Sequence, residues 1–385
     1  MKIVYADHAA TTMLSPKAKE AMFPWLGEEY ANPSTLYGSS RKPRKAILSS
    51  RQKIASAIGA KENEVFFTSC GTEADNWALK GIAFRYKKGR IITSSIEHHA
   101  ILNTCSFLEQ LGFDVIYLPS DDKGLISPSV LEESITSDTI LVSIMMANNE
   151  VGTVEPIREL AEIAHAHGVL FHTDAVQAVG HIPVNVNDLH VDMLSASAHK
   201  FNGPKGIGFL YIREGTDIEP LMHGGGQELS MRSGTENVAS IVGMATALEE
   251  HMANLDTDSI YLEKLRMELI AQMAGLDFIV NGADYHIPGS LSISFKDIEG
   301  EMLLHRLDLL GIEIATGSAC NSKDTVLSHV IKAMGISPQY ASGTIRISLG
   351  MDNDEGQIER IATSIKRIVS QCYVMYAQRN HNAAR

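Results

Sequence analysis

From residue 64 onward the chain alternates short β-branched or aromatic runs with longer amphipathic stretches. The run at 65–68 passes through Ser69-Cys70-Gly71-Thr72-Glu73 into a helical pattern reaching Lys80. The run at 91–94 precedes His98 and a helical pattern to Gln110. Runs at 115–118 and 140–144 are each followed by a helix-like segment. Further strands are expected around Leu170, around Val191 and over 208–212. This is the strand–helix–strand rhythm of an α/β fold, and it predicts a mostly parallel seven-stranded sheet flanked by helices. Such sheets bind ligands at the carboxyl ends of their strands, which makes the polar residues there the first suspects.

The pattern differs at both ends. Asp7-His8-Ala9-Ala10-Thr11-Thr12 is small and polar, like a chain entering a site, and Pro16 then opens a helical stretch to Trp25. After Gly224-Gly225-Gly226 come a helical pattern over 237–251 and a charged helix through Glu268, with a domain boundary expected between them. The remainder, with strands at 290–295 and 345–347 and a helix over 302–310, reads as a smaller α+β unit. The expected division is a large domain over 15–256 and a small one made of 1–14 and 257–385.

Composition narrows the class. At 385 residues the chain is long enough for two or three units, and 44% apolar with 21% charged residues suits a soluble globular enzyme. Basic residues number 33 and acidic ones 46, a net charge of −13, which argues against nucleic acid or an anionic membrane as a direct partner. Cys70, Cys105, Cys320 and Cys372 form no Cys-x-x-Cys pair, so neither a zinc knuckle nor a disulfide framework is expected. With no charged-then-apolar leader and no run of about 18 apolar residues, a cytoplasmic location is expected.

Lys200 ends the apolar run that starts at Val191 and precedes a loop of glycine and proline. Partial desolvation there lowers an amine's pKa and frees it to attack an aldehyde, and pyridoxal phosphate is the aldehyde enzymes most often store in this way. Taken alone, Lys200 is more readily read as a surface lysine at a strand end, and only its neighbours change that. Asp174 ends the run from Leu170, where a carboxylate could keep a pyridine nitrogen protonated, or could simply cap a helix. Gln177, three residues on, could donate to the ring's phenolate oxygen. Gly71 and Thr72 sit where a strand hands over to a helix, a natural phosphate site, and Ser197 and His199 could add their side chains. Thr72 could equally be a plain helix cap. Gly203, Gly206 and Gly208 lead into a strand rather than a helix, which excludes a dinucleotide loop. His98-His99 and His165-Ala166-His167 do not share a helix face, so no metal is expected. Arg346, inside an apolar strand pattern, could clamp an α-carboxylate or serve an internal salt bridge. A lone cysteine is more often a buried small hydrophobe, but Cys320 has small polar flanks, which suit an exposed thiol on a mobile loop.

These motifs, from Tyr5-Ala6-Asp7-His8-Ala9-Ala10-Thr11-Thr12 to Gly343-Thr344-Ile345-Arg346-Ile347-Ser348-Leu349-Gly350, resemble the class V aminotransferase group of pyridoxal-phosphate enzymes. Within it the chain is similar to the cysteine desulfurases of the NifS and IscS type. Thr316-Gly317-Ser318-Ala319-Cys320 stands where that type carries Ser-Gly-Ser-Ala-Cys, and the Arg-x-Gly-x-x-Cys of the SufS type fits poorly. The resemblance implies a PLP-dependent transferase of fold type I and a homodimer. It implies Lys200 as the cofactor's anchor and His98 on its ring, with Asn149 against both cofactor and substrate. Thr235 would reach the phosphate in the partner subunit's site. L-cysteine would be the substrate, giving alanine and a persulfide on Cys320. That sulfur would go to an acceptor or scaffold protein, for iron–sulfur cluster assembly or tRNA thiolation. Cys70 departs from the family, which more often has glycine there. The rival readings are a selenocysteine lyase or transaminase, and a non-catalytic scaffold for sulfur acceptors; Cys320 argues against the transaminase, and the joint presence of lysine, aspartate, histidine and cysteine against the scaffold.

Overall fold

The computed structural model describes residues 3–316 and 327–383. All seven runs expected in the large sheet form strands. After β1 (Val4–Tyr5), α1 (Pro16–Met22) and α2 (Arg41–Ala57) come β2 (Val65–Thr68), β3 (Arg90–Ser94), β4 (Asp114–Leu118), β5 (Thr139–Ser143), β6 (Leu170–Asp174), β7 (Met193–Ser197) and β8 (Gly208–Ile212). Their order across the sheet is β2-β8-β7-β6-β5-β3-β4. Pairing is parallel from β4 through to β7, and β8 is antiparallel to both of its neighbours. The crossovers carry α3 (Gly71–Tyr86), α4 (His99–Gln110), α5 (Pro128–Ser134) and α6 (Ile157–Ala166). Helices on both faces bury β2, β7 and β8 at every position, and their sequences accordingly read as runs rather than alternations. β7 starts at Met193, two residues later than its apolar run. Asp192 is used instead as a clasp, its carboxylate accepting from the Phe171 N–H at 2.7 Å and lying 2.8 Å from His165 Nε2.

The two helical stretches expected on either side of a domain boundary are one helix, α7 (Val238–Gln272), 35 residues long. No glycine or proline interrupts it between Glu249 and Glu268, so the acidic residues there lie on its surface without breaking it. Its first half packs Ile241, Met244 and Leu248 into the core that includes Val142, Phe171 and Phe209. Its second half gives Leu262, Leu265 and Leu269 to a separate core with Ile293, Phe295, Ile345 and Ile347. That second core lies against an antiparallel sheet whose strands, in chain order, are β9 (Phe278–Asn281), β10 (Ser290–Phe295), β12 (Ala315–Thr316) and β13 (Thr344–Ser348). α8 (Gly300–Asp308) and α11 (Glu355–Ala383) cover it, and β1 pairs parallel with β11 (Ile312–Glu313) as a separate two-stranded sheet that gives Val4 and Ile312 to the same core. By contrast Val330 and Ile331 of α9 (His329–Ala333), and Ala341 of α10 (Pro338–Ala341), belong to the first core. No helix among the described residues is long and apolar enough to cross a membrane.

Candidate active site

A cavity of about 400 Å³ opens at the carboxyl ends of β2, β6 and β7, and residues 9–10 and Arg346 of β13 complete its wall. At one end lies the N-terminus of α3, whose first-turn amides have no partners within the helix. Gly71 lets that helix come close: a Cβ there would sit 2.6 Å from Val176 Cγ2 and 3.4 Å from Ser197 Cβ. Thr72 lines the cavity beside it. Ser197, 2% exposed at the end of β7, has a buried Oγ with no hydrogen-bond partner among the described residues. His199 lines the same end, its Nδ1 3.2 Å from Thr11 Oγ1, and burial lowers its pKa to about 4.

Lys200 closes a single 3₁₀ turn after β7. Its Nζ donates to the carbonyls of Ala9 at 2.6 Å and Ala10 at 2.9 Å, so the amine spans the cavity toward the N-terminal segment. Burial is the main cause that lowers its pKa to about 8; Arg346 adds to the shift, and Asp174 and Asp7 oppose it. Asp174, at the end of β6, accepts from the Val176 N–H at 2.9 Å. Burial raises its carboxyl to about 6, against the pull of that amide and of Lys200.

His98 caps α4, with Nδ1 accepting from the Ala100 N–H at 3.1 Å. The ring proton is therefore on Nε2. Burial, reinforced by Lys200, lowers the pKa to about 4, well below the 6.5 expected of an ordinary imidazole. Gln177 donates from Nε2 to the Ala9 carbonyl, and Asn149 lines the wall beside Met145. Arg346 makes the internal salt bridge that was one of the two roles open to it, and it does so at the cavity wall. Its Nη2 donates to Asp7 Oδ1 at 2.6 Å and its Nη1 to the Asn149 carbonyl at 2.8 Å, while Nε is buried without a partner among the described residues.

Ten of the residues singled out from sequence thus share one cavity. Thr235 does not: it is exposed and absent from the lining of its own chain's cavity. Cys320 lies outside the described residues. Sequence reading missed Asp75 and Glu97. Asp75 lines the cavity from the first turns of α3. Glu97, fully buried, accepts from Ser94 Oγ at 2.6 Å and from the Met145 N–H at 2.9 Å, and burial raises its pKa to about 8. Asp75 sits beside Glu73 and Asn76, so its own neighbourhood gives no signal of burial.

The donor set fits pyridoxal phosphate. An unpartnered buried hydroxyl and a close-packed helix N-terminus suit an anionic group, and a lysine with a lowered pKa suits an aldehyde.

Over residues 4–361 the chain matches the family model described as Aminotransferase class-V. The cysteine desulfurase IscS of Dictyoglomus turgidum is 49% identical over 373 residues, which cover 96% of this chain and 95% of that relative. The IscS of Methanosarcina thermophila is 48% identical over 374 residues, covering 96% and 93%. A solved structure of a NifS-like protein superposes with a TM-score of 0.90 at 40% identity, over 96% of this chain and 99% of that one. One described as SspA in complex with cysteine gives 0.82 at 39%, over 90% and 98%. Matched over nearly its whole length by the family model and by relatives near half identity, the chain belongs to the class-V aminotransferase family, among its cysteine desulfurases of the NifS and IscS type.

Proposed function

We propose that the protein is a cytoplasmic, pyridoxal-phosphate-dependent cysteine desulfurase that converts L-cysteine to L-alanine and leaves the sulfur as a persulfide on Cys320. The observation that carries the reading is the amine of Lys200, depressed to about 8 and set in one cavity with Asp174 and Arg346. The α3 amides at Gly71 and Thr72, with Ser197 and His199, would hold the cofactor's phosphate. Asp174 would face its ring nitrogen, Gln177 and Asn149 its phenolate oxygen, and His98 its ring, with Lys200 joined to its aldehyde. Bound there, the cofactor supplies an electron-withdrawing ring that acidifies the substrate's α-hydrogen and loosens its Cβ–S bond.

The protein's own groups do the rest. Arg346 receives the substrate carboxylate by exchanging it for Asp7, a swap of one carboxylate for another that keeps the guanidinium paired. The Lys200 Nζ holds and moves the α-proton, because its pKa lies near working pH. His98 is neutral across that range and is better suited to stacking and to donating from Nε2 than to taking the proton. The Cys320 thiolate attacks the substrate's sulfur: the S–S bond forms, the Cβ–S bond breaks and its electron pair returns to carbon, where a proton completes alanine. The persulfide then passes to a sulfur-acceptor or scaffold protein serving iron–sulfur cluster assembly or tRNA thiolation.

Borohydride reduction of the cofactor-loaded protein followed by peptide mapping tests the anchor. The cofactor should be fixed to Lys200; finding it on Lys205 would overturn the assignment.

The active form in this reading is a homodimer. Tyr30 and Leu36 are 86% and 97% exposed beside exposed Phe23, Leu26 and Tyr37, an apolar concentration on one short segment that suits a subunit contact. Thr235 would then serve the phosphate of the other subunit. Mixing inactive Lys200→Ala and Thr235→Ala subunits should restore activity, since one site of the mixed dimer has both residues. No recovery in a verified heterodimer would place Thr235 elsewhere.

A further inference from the structure

Two buried carboxyl groups line the cavity, and of its two cations Arg346 is already paired with Asp7, which leaves Lys200 to face both. Asp174 and Asp75 both line it, 4% and 1% exposed. Asp174 has a backbone N–H and the charge of Lys200 in its favour. Asp75 is served less well. Its Oδ1 is sealed from solvent with no hydrogen-bond partner among the described residues, and His172 Nε2 stands 3.9 Å away. His172 brings no charge: it is fully buried between Ser143 Oγ at 2.9 Å and Ser195 Oγ at 3.0 Å, and burial lowers its pKa to about 3. The other groups facing Asp75 are Asp174, Glu97 and the Cys70 thiol, all of which resist a second negative charge, and the Ser195 hydroxyl, which favours one. A carboxylate buried without a cation takes a proton instead, and two neighbouring carboxyl groups divide one charge between them.

We propose that Asp75 is a positioning residue for the desulfurase reaction: it stands in the folded protein as a neutral acid, shares a single proton with Asp174, and leaves Asp174 as the one carboxylate presented to the cofactor's ring nitrogen. This rests on reading the cavity as the pyridoxal phosphate site. Were both groups ionised, repulsion would draw a proton onto Asp174, and a neutral Asp174 could not hold the ring nitrogen protonated. The strong upward shift of the Asp75 carboxyl, caused first by burial and then by Asp174, agrees with this division.

Two measurements test it. Infrared difference spectra of wild type against Asp75→Asn, on cofactor-free protein near neutral pH, should show the C=O stretch of one protonated carboxyl lost in the variant. In the cofactor-loaded protein, Asp75→Asn, still neutral and still a donor, should keep the pH midpoint of the cofactor's visible absorbance within about 0.3. Asp75→Leu, which lacks a donor, should move that midpoint and weaken pyridoxal phosphate binding about tenfold. If the leucine variant does not fold, Asp75→Ala takes its place. Absence of the protonated band in wild type, or equal effects of the asparagine and leucine variants, would overturn the proposal. A band present in a wild-type protein that binds no pyridoxal phosphate would refute the cofactor reading instead, and the positioning role with it.

Discussion

The lowered pKa of Lys200 makes a prediction about stability that needs no substrate. The amine falls from 10.5 to about 8 because burial penalises its charge. At about 1.36 kcal/mol per pH unit, the folded protein is destabilised by about 3 kcal/mol below pH 8, where the amine must stay charged. The folded state binds this proton less tightly than the unfolded chain does. Stability therefore rises with pH between about 8 and 10.5, as the unfolded chain retains a proton that the folded one has released. Between pH 7 and pH 9.5 the recovery comes to about 2 kcal/mol. Lys200→Met keeps most of the volume and removes the titration. Its loss of the bonds to Ala9 and Ala10 is felt at both pH values, so the change in the difference isolates the ionisation. Urea unfolding of cofactor-free wild type and variant at the two pH values is the assay. Wild type should gain about 2 kcal/mol on the variant as the pH is raised. A constant difference would mean that Lys200 is not desolvated in the folded protein, and the reason for choosing it as the reactive amine would fail.

Asp7→Asn should lower the KM for L-cysteine severalfold, because the guanidinium of Arg346 no longer has to release a carboxylate to accept the substrate's; an unchanged or higher KM in steady-state assays would show that Asp7 does not compete there. Gly71→Ala should cost about 1–3 kcal/mol and weaken pyridoxal phosphate binding, through the 2.6 Å approach to Val176, whereas Gly38→Ala, with open space around it, serves as the control in thermal melts and absorbance titrations. His98→Gln should leave the acid side of the kcat profile between about pH 5 and 7 where it is, since an imidazole with pKa about 4 does not titrate there; a limb near 6.5 that disappears in the variant would restore His98 as the proton carrier.

The large sheet was legible because its central strands are buried on both faces, which writes them as apolar runs, and because two of those runs lead to site residues: Asp174 ends β6, Ser197 ends β7 and Lys200 follows it. The site's electrostatics were less legible. The low pKa of His98 comes from its burial and from Lys200 nearby, neither of which its own sequence neighbourhood reveals. Asp75 looks like one more polar residue on a helix until α3 is laid against β7. The ion pair between Asp7 and Arg346 joins residues 339 positions apart, beyond the reach of any local pattern. The continuity of α7 was hidden by its acidic middle, which resembles a solvated linker but carries nothing that stops a helix.

The central claim is that sulfur leaves L-cysteine for Cys320. The most direct measurement supplies L-cysteine labelled with heavy sulfur to cofactor-loaded wild type, to Cys320→Ser and to Cys70→Ser. Alanine release is followed, and the thiol-blocked peptides are weighed. Wild type and Cys70→Ser should form alanine and carry one labelled sulfur on the Cys320 peptide, while Cys320→Ser should bind cofactor and substrate yet form neither product above background. Labelled sulfur on Cys70, with alanine still formed by Cys320→Ser, would contradict the account.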